Sequence, residues 1–302
     1  MKRLQVAVIG FGKVGRACAA AILADEQLAL AGIVRRRESL SEHLAPPFAN
    51  IPVVAHASEL DRIDAALLCV PTVEVLATGR ELLQHRIPVV ECATLHDEAL
   101  HQHWEELNRS AVHHKVPVIV GAGWDPGALS LFRALFALLT PKGHTETSWH
   151  TGSSLHHTTA ARDIPGVREA LATERRSADG KVQRYVYIEI EKGGELAKIE
   201  TALHSDPLFL GEETLVFPVE DIRQLEEEGH GVLLERHGSA AATPHQRLLL
   251  EARYAEPALC AAVMTAAARA LPGCRHRAYS LLELPLGALW GELQEKAKRE
   301  WL

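Results

Sequence analysis

Two hydrophobic patterns alternate along the N-terminal half of the chain. Short runs rich in valine, isoleucine and leucine, typical of strands buried on both faces, are separated by segments whose apolar residues recur every three or four positions. The runs are LQVAVIG, LALAGIV, IDAALLCV, IPVVECA and VPVIVGAG, and two of the segments between them are TVEVLATGRELLQHR and DEALHQHWEELNRSAVHHK. This alternation predicts an α/β fold with a doubly wound parallel sheet.

Amphipathic strands replace the buried runs after about residue 143. The pattern predicts strands for TETSWH, VQRYVYIEIE, TLVFPV, GVLLERHG and QRLLLEARY, and helices for IPGVREALA and ELAKIETALH. Together these elements predict an α+β second domain with an open mixed sheet. Two helical stretches, PALCAAVMTAAARAL and LGALWGELQEKAKREWL, end the chain, and we expect them to pack back on the first domain.

The change of pattern also predicts the domain division. Residues 1–122, with a C-terminal helical return of about 257–302, form the first domain, and residues 123–256 form the second. Ligands of open α/β sheets bind beyond the carboxyl ends of the strands, so we expect the functional site at that edge of the first sheet.

Charge and composition exclude several classes of protein. The 302 residues carry a formal net charge of -7, which gives no general attraction for nucleic acid or for an anionic membrane. No apolar run reaches the roughly 20 residues that span a bilayer, and the first strand begins close to Met1. We therefore predict a cytoplasmic protein without nucleic-acid or membrane partners. The five scattered cysteines include no C-x-x-C pair, which argues against disulfides and zinc.

A glycine-rich turn follows the first predicted strand. Gly10, Gly12 and Gly15 form a G-x-G-x-x-G pattern that opens a predicted helix. In this setting the first glycine permits a tight turn, the second lets the backbone approach a pyrophosphate, and the third lets helix and strand pack closely. The pattern predicts a dinucleotide-binding Rossmann domain, with the phosphates at the positive end of the helix.

The end of the second strand indicates which dinucleotide binds. An NAD site usually has an acidic residue about 20 residues beyond the glycines, but this chain has Arg35, Arg36 and Arg37 there. Arginine suits a 2′-phosphate, so we predict NADP; the alternative is a solvated basic turn. The predicted cofactor-binding residues are Gly10, Phe11, Gly12, Lys13, Val14, Gly15, Arg35, Arg36, Arg37, Cys69, Val70, Pro71 and Thr72.

The segment GAGWDPG, after the last strand of the first sheet, carries candidate chemistry. Its glycines and proline shape the backbone, which leaves Trp124 and Asp125 to face the crevice. Asp125 could bind an amine or accept its proton, and Trp124 could exclude water. The alternative is that Asp125 caps the helix that begins near Ala128.

Seven segments resemble the meso-diaminopimelate dehydrogenase family, in the same order from end to end. They are VAVIGFGKVGR, VRRR, LLCVP, GWDPG, IPGVREAL, EEGHGVLLER and PALCAAVMTAAARAL. The most specific feature is GWDPG followed by H-T-x(5)-IPGV, here His157, Thr158 and Ile164 to Val167.

The resemblance implies a homodimeric enzyme that uses NADP to deaminate the D-centre of meso-diaminopimelate reversibly, with release of ammonia. It implies catalytic roles for Asp125, which would contact the reacting amino group, and Trp124, which would line the pocket. Arg184 would hold a substrate carboxylate, because arginine can bind it bidentately. The substrate-binding residues implied by the resemblance are Thr94, His150, Ser154, His157, Thr173, Arg184, His245 and Glu256.

Several positions depart from the family pattern. Thr94 stands where the family has a second aspartate directed at the D-centre, so one anionic amine ligand is missing. His150 lies in a turn that is Gly-Pro-Gly in the family. Pro244 and His245 align with a His-Asn pair, and Glu256 aligns with an asparagine.

Three functions therefore stay open at this point. The first is an NADP-dependent dehydrogenase that acts on meso-diaminopimelate or a close relative. The second is a paralogous NADP-dependent oxidoreductase or imine reductase that acts on another amine or D-amino acid. The third is a catalytically silent NADP-binding sensor, because a Rossmann domain alone does not imply chemistry. No metal is predicted, since neighbouring histidines such as His156 and His157 have no third ligand at metal spacing.

Overall fold

The computed structural model describes residues 3–150, 155–176, 181–210, 213–222, 225, 230–240, 243–291 and 293–301. They divide into two compact units, Met1–Ala134 with Glu256–Leu302, and Leu135–Ala255. Residues 123–134 therefore belong to the first unit, although the sequence pattern assigned them to the second domain. None of the helices in the described ranges is long and apolar enough to cross a membrane.

The elements of the described chain are as follows. The strands are β1 Leu4–Ile9, β2 Leu28–Val34, β3 Val53–Val54, β4 Ala65–Leu68, β5 Val89–Glu91, β6 Val118–Ile119, β7 Lys142–His150, β8 Val167–Arg176, β9 Val182–Ile190, β10 Glu213–Pro218, β11 His230–Ala240, β12 Thr243–Tyr254 and β13 Ala278–Tyr279. The helices are α1 Lys13–Ala24, α2 Thr72–Gln84, α3 Asp97–His114, α4 Leu129–Leu139, α5 Leu155–Arg162, α6 Leu196–Ser205, α7 Glu256–Ala270, α8 Leu286–Leu289 and α9 Leu293–Trp301.

The first unit is built on a parallel sheet with the strand order β13-β6-β5-β4-β1-β2-β3. The strand order reverses direction between β1 and β4, which is the switch point where such sheets bind ligands. The prediction of a doubly wound parallel sheet is thus confirmed. The C-terminal return also adds the edge strand β13, which the sequence pattern did not indicate.

Both faces of this sheet are covered, as the apolar strands predicted. Side chains alternate along β1, so Val6 and Val8 pack on one face with Ile22 of α1 and Met264 of α7. Ala7 and Ile9 pack on the opposite face, in a cluster with side chains from α2 and α3. The C-terminal helix α7 is therefore part of the core of the first unit, as we expected.

The second unit contains two three-stranded sheets. In the order β10-β9-β8, β9 runs parallel to β10 and antiparallel to β8. The order β12-β11-β7 is antiparallel throughout. Helices α5 and α6 contribute to the apolar cluster on the first of these sheets. The α+β class is confirmed, with the strands divided between two sheets.

One helix prediction is wrong. The segment IPGVREALA was predicted as a helix, but from Val167 it is part of β8, paired with β9. Its alanines lie in the core, where Ala170 and Ala172 have no exposed surface. Pairing and burial outweigh the helical preference of these residues. The helix in this region is α5, which precedes the segment.

Candidate functional site

The glycine turn after β1 has the geometry that a dinucleotide requires. Gly10 has a φ of +91°, and a Cβ atom there would lie 2.5 Å from the carbonyl oxygen of Cys69. A Cβ at Gly15 would lie 2.1 Å from the carbonyl oxygen of Gly10, so both positions exclude larger residues. A Cβ at Gly12 would meet nothing within 4 Å. The turn is thus tightly packed at Gly10 and Gly15, whereas the space beside Gly12, just before α1, is open.

The other predicted cofactor residues lie on loops next to this turn. Lys13 and Val14 open α1, while Cys69 to Thr72 leave β4, the neighbour of β1 in the sheet. The Cys69 N–H donates to the Ile9 carbonyl at 2.7 Å, which holds the two strand ends together. The Phe11 ring contacts Phe48 edge to face, with centroids 5.4 Å apart. The turn and the β4 loop therefore form one surface at the switch point.

The three arginines after β2 have different surroundings. The Arg35 side chain is only 9% exposed, forms an ion pair with Glu42, and places its guanidinium carbon 5.8 Å from the Phe11 ring centroid. Its Nη1 is buried and has no hydrogen-bond partner among the described residues. Arg36 is exposed and bonds to Glu74 at 3.0 Å. Arg37 lies 3.4 Å from the His56 ring. The buried Nη1 is a donor that a bound phosphate could satisfy, which a solvated basic turn does not explain.

Trp124 and Asp125 stand on a short turn, Trp124–Ala128, before α4, and the backbone of Asp125 itself is extended, with φ -124° and ψ 127°. The Trp124 side chain is buried, and its ring centroid lies 6.4 Å from that of Phe132. The Asp125 carboxylate is 8% exposed and accepts a hydrogen bond from Arg133 Nη1 at 2.6 Å. This bond comes from a side chain one turn into α4, rather than from a backbone N–H at the start of the helix. His96 Nε2 lies 3.9 Å from Asp125 Oδ2.

Glu256 is near this turn. It is the first residue of α7, one helical turn before Cys260, whose sulfur lies 3.6 Å from a Cβ built on Gly123. Burial, reinforced by the Asp125 charge, raises the pKa of Glu256 to about 7. Two carboxylates and an indole thus lie in one region of the first unit, and one carboxylate can change its charge near neutral pH.

The thiols beside this site are poor nucleophiles. Burial raises the pKa of Cys92 well above its usual value and that of Cys260 to about 12. Both therefore stay protonated at physiological pH, and reactivity requires the thiolate. Among the described residues, no group of three or more histidine, cysteine, aspartate or glutamate side chains could hold a metal ion.

Thr173 and Arg184 lie in the second unit on opposite faces of one sheet. Arg184 of β9 pairs with Glu174, and its Nη2 donates to Glu174 Oε2 at 3.2 Å. Thr173 pairs with Tyr185, and side chains alternate along a strand. Both are 2% exposed. The sheet does not bring these two predicted substrate ligands to the same surface.

The remaining predicted substrate residues are dispersed. His157 lies 3.1 Å from the Leu208 carbonyl through Nε2 and packs against the Phe209 ring. His245 is exposed, with a φ of 63°. Thr94 is exposed on the loop after β5. Ser154 and the side chain of His150 lie outside the described residues.

Sequence reasoning missed Arg133, and it also missed a buried carboxylate, Glu91, at the end of β5. The only signal for Arg133 was its position eight residues beyond Asp125, about one turn into the predicted helix that follows. The signal for Glu91 was an acidic residue at the end of an apolar strand, VVE. Such a residue needs buried partners, which sequence does not identify.

Comparisons with known proteins agree with this geometry. A family model described as "Diaminopimelic acid dehydrogenase C-terminal domain" matches residues 123–245. One described as "Oxidoreductase family, NAD-binding Rossmann fold" matches residues 4–92. The meso-diaminopimelate D-dehydrogenase of Bacteroides fragilis is 34% identical over 290 residues, covering 95% of each chain. That of Ureibacillus thermosphaericus is 24% identical and covers 100% of each chain.

Solved structures share the whole fold. The DAP dehydrogenase of C. glutamicum, in complex with DAP, matches with a TM-score of 0.82 and 22% identity over 100% of both chains. An engineered D-amino acid dehydrogenase bound to NADP+ matches with a TM-score of 0.83 and 21% identity over 100% of both chains. With the level of identity to the Bacteroides enzyme, these findings show that the chain belongs to the meso-diaminopimelate D-dehydrogenase family of oxidoreductases.

Proposed function

We propose that this protein deaminates the D-centre of meso-diaminopimelate, or of a closely related amino acid, reversibly with NADP+ and releases ammonia. The observation that carries the proposal is the Trp124–Asp125 turn with Glu256 beside it, in the unit that also contains the dinucleotide turn. A bound nicotinamide dinucleotide supplies the hydride acceptor for such an oxidation.

The arginines after β2 support NADP as the cofactor. The buried Arg35 Nη1 lacks a partner among the described residues, and exposed Arg36 can turn toward a ligand. Because a guanidinium binds a phosphate through paired donors, these two residues would hold the 2′-phosphate. Gly12 leaves the open space that a pyrophosphate needs.

Asp125 and Glu256 would have different roles at the substrate amine. Arg133 holds the Asp125 carboxylate in place, so Asp125 would orient the substrate amino group. Glu256, with a pKa of about 7, would take up the proton that the amino group loses as the carbon is oxidised. The buried Trp124 ring would keep water from the reacting carbon until hydride transfer has formed the imine, which water then hydrolyses.

A second candidate substrate class follows from Thr94. Thr94 has no charge where the family has an aspartate, whereas Glu256 adds a carboxylate where the family has an asparagine. The number of anionic groups is kept, but one has moved to α7. A different amine or D-amino acid would suit this altered placement, on the same cofactor scaffold.

A homodimer is also part of the proposal. Leu135, Leu138 and Leu139 are exposed along one face of α4, at 49%, 76% and 52%. An apolar stripe of this kind is typical of a surface that another subunit covers. The cytoplasmic location stays a prediction.

The test is NADP+ reduction at alkaline pH with meso-diaminopimelate, the LL isomer and a panel of D-amino acids. We expect turnover of the meso isomer and none of the LL isomer. Higher activity with another D-amino acid would favour the second candidate. An Asp125→Asn variant that kept full turnover would contradict the role of Asp125, and Glu105→Gln, an exposed change on α3, is the control.

The cofactor is tested with the Arg36→Ala variant. We expect its KM for NADP+ to rise about tenfold while its KM for NAD+ is unchanged, because one phosphate contact is lost. Arg109→Ala removes an equally exposed arginine from α3 and is the control. An equal effect on both cofactors would exclude a 2′-phosphate contact.

A further inference from the structure

A fully buried carboxylate connects the two loops that carry the proposed amine site. Glu91 is the last residue of β5 and has no exposed surface. Its Oε2 accepts a hydrogen bond from the Ala93 N–H at 2.5 Å, and its Oε1 accepts one from the Gly121 N–H at 2.7 Å. Its main-chain carbonyl accepts the Ala122 N–H at 2.7 Å. These bonds join the chain just after β5 to the chain just after β6.

The backbone after β6 requires such an acceptor. Gly121 has a φ of +64°, so the chain leaves the extended conformation there. The Gly121 N–H is buried at this bend and needs a partner to offset the loss of water. The Glu91 side chain reaches it from the neighbouring strand, and its carboxyl oxygens can accept both backbone N–H groups at once.

The two connected loops carry the residues of the proposed site. The loop at 92–96 bears Thr94 and His96, and the loop at 121–125 bears Trp124 and Asp125. They approach each other beyond Glu91, where His96 Nε2 lies 3.9 Å from Asp125 Oδ2. A shift of either loop would therefore change the position of Asp125 relative to the residues around it.

Helix α3 covers the Glu91 carboxylate with a histidine. His103 is 7% exposed, and its Nε2 lies 3.3 Å from Glu91 Oε1 without a hydrogen bond between them. The imidazole thus lies against the carboxylate and contributes to its burial. The two backbone N–H donors remain the hydrogen bonds that hold Glu91.

We propose that Glu91 is a positioning residue whose carboxylate fixes the 92–96 and 121–125 loops relative to each other and so sets the place of Trp124 and Asp125. The proposal rests on the proposed function, because it assigns those two residues to the substrate amine. Glu91 itself is fully buried and acts through the loops.

The test compares Glu91→Gln and Glu91→Asp with the exposed control Glu105→Gln. In Glu91→Gln the side-chain NH2 group replaces one carboxyl oxygen and faces a backbone N–H. Both groups are donors, so one of the two hydrogen bonds is lost. Hydrogen exchange followed by mass spectrometry should show faster exchange in peptides covering both loops, with the peptide of α1 unchanged. Glu91→Asp keeps a carboxyl acceptor on a shorter side chain and should show a smaller change.

Kinetics and cofactor binding provide the second readout. We expect kcat/KM for the amine to fall roughly 100-fold in Glu91→Gln, since a misplacement of about 1 Å can cost that much. The deuterium isotope effect at the reacting carbon should rise, because the chemical step becomes slower. The Kd of NADPH, measured by fluorescence, should stay unchanged, which separates lost positioning from lost folding.

The outcomes are distinct. Unchanged exchange in the two loops would overturn the proposal, as would faster exchange with wild-type kcat/KM. A general rise in exchange, including α1, with weaker NADPH binding would also overturn it, because Glu91 would then support the whole unit. If the wild-type protein oxidises no amine, the proposed function fails, and the exchange data alone decide whether Glu91 holds the loops.

Discussion

Asp125 and Glu256 are two carboxylates in the same unit with different surroundings. The Arg133 guanidinium holds Asp125, whereas Glu256 is largely buried at the start of α7. Enzymes that move protons often hold acidic groups in unlike environments, because one then stays charged while the other exchanges a proton. The difference between these two residues is therefore the basis for the separate roles proposed for them.

The titration of Glu256 leads to a pH-dependent stability. Its pKa is about 7 in the folded chain against 4.5 for an unperturbed glutamate, so the folded chain binds more protons between these values. Stability from protonated Glu256 is fully present below about pH 4.5 and is lost as the pH rises through about 7. Relative to wild type, the Tm of Glu256→Gln should therefore rise between about pH 5 and pH 8.

Thermal unfolding followed by circular dichroism over this pH range measures the effect. The control is Glu105→Gln, whose Tm difference from wild type should not depend on pH. A pH-independent difference for Glu256→Gln would contradict the raised pKa. In the amine assay, the same variant should lose a limb of the kcat/KM profile near neutral pH.

At the scale of elements, two glycines of the β1–α1 turn have different functions: Gly15 allows close packing, and Gly12 leaves space for a ligand. Gly15 packs against the Gly10 carbonyl, but Gly12 faces open space. Gly15→Ala should therefore lower the free energy of unfolding by at least about 2 kcal/mol, because a backbone clash must be relieved. Gly12→Ala should leave stability within about 0.5 kcal/mol of wild type yet weaken NADPH binding, because its Cβ occupies the space of the pyrophosphate.

Urea unfolding and NADPH fluorescence titration distinguish these two variants. Each variant is the control for the other, since both place one methyl group in the same turn. If Gly12→Ala bound NADPH as tightly as wild type, the cofactor would not approach this turn closely. If Gly15→Ala were as stable as wild type, helix and strand would not be in the close contact described.

At the scale of the whole molecule, the chain leaves the first unit and returns to it. Helix α7 contributes Ala261 and Met264 to the core that also contains Cys18 and Ile22 of α1. The core of the first unit thus includes residues that follow the whole second unit in the chain. A fragment that ends at residue 255 should fail to fold its first unit, because this core would lack one side.

An ion pair between α7 and the end of α1 makes this return measurable. Arg269 pairs with Asp25, and its Nη2 donates to the Leu289 carbonyl at 3.1 Å. Both charged side chains are mostly buried, so Arg269→Ala should lower the free energy of unfolding by about 2–3 kcal/mol. Lys198→Ala, which removes an exposed pair with Glu195, should change it by less than about 1 kcal/mol. Equal effects in urea unfolding would contradict this role for Arg269.

Sequence alone determined the features that depend on neighbouring residues. The strand–glycine–helix order predicted the Rossmann unit, because a buried parallel strand, a tight turn and an amphipathic helix each have a local pattern. Trp124 and Asp125 were found because the glycines and proline around them leave little else to carry chemistry. The edge strand of the first sheet, β13, was not predicted, because its two residues are too few for a periodic pattern.

Tertiary structure decided the features that depend on residues far apart in the chain. The alanines of IPGVREALA favour a helix locally, but pairing with β9 and burial make the segment a strand. Thr173 and Arg184 lie on opposite faces of a sheet because side chains alternate along paired strands, and this pairing is not visible in the sequence. The raised pKa of Glu256 and the buried bonds of Glu91 likewise arise only after folding, because burial and partners, rather than residue type, determine the properties of a carboxylate.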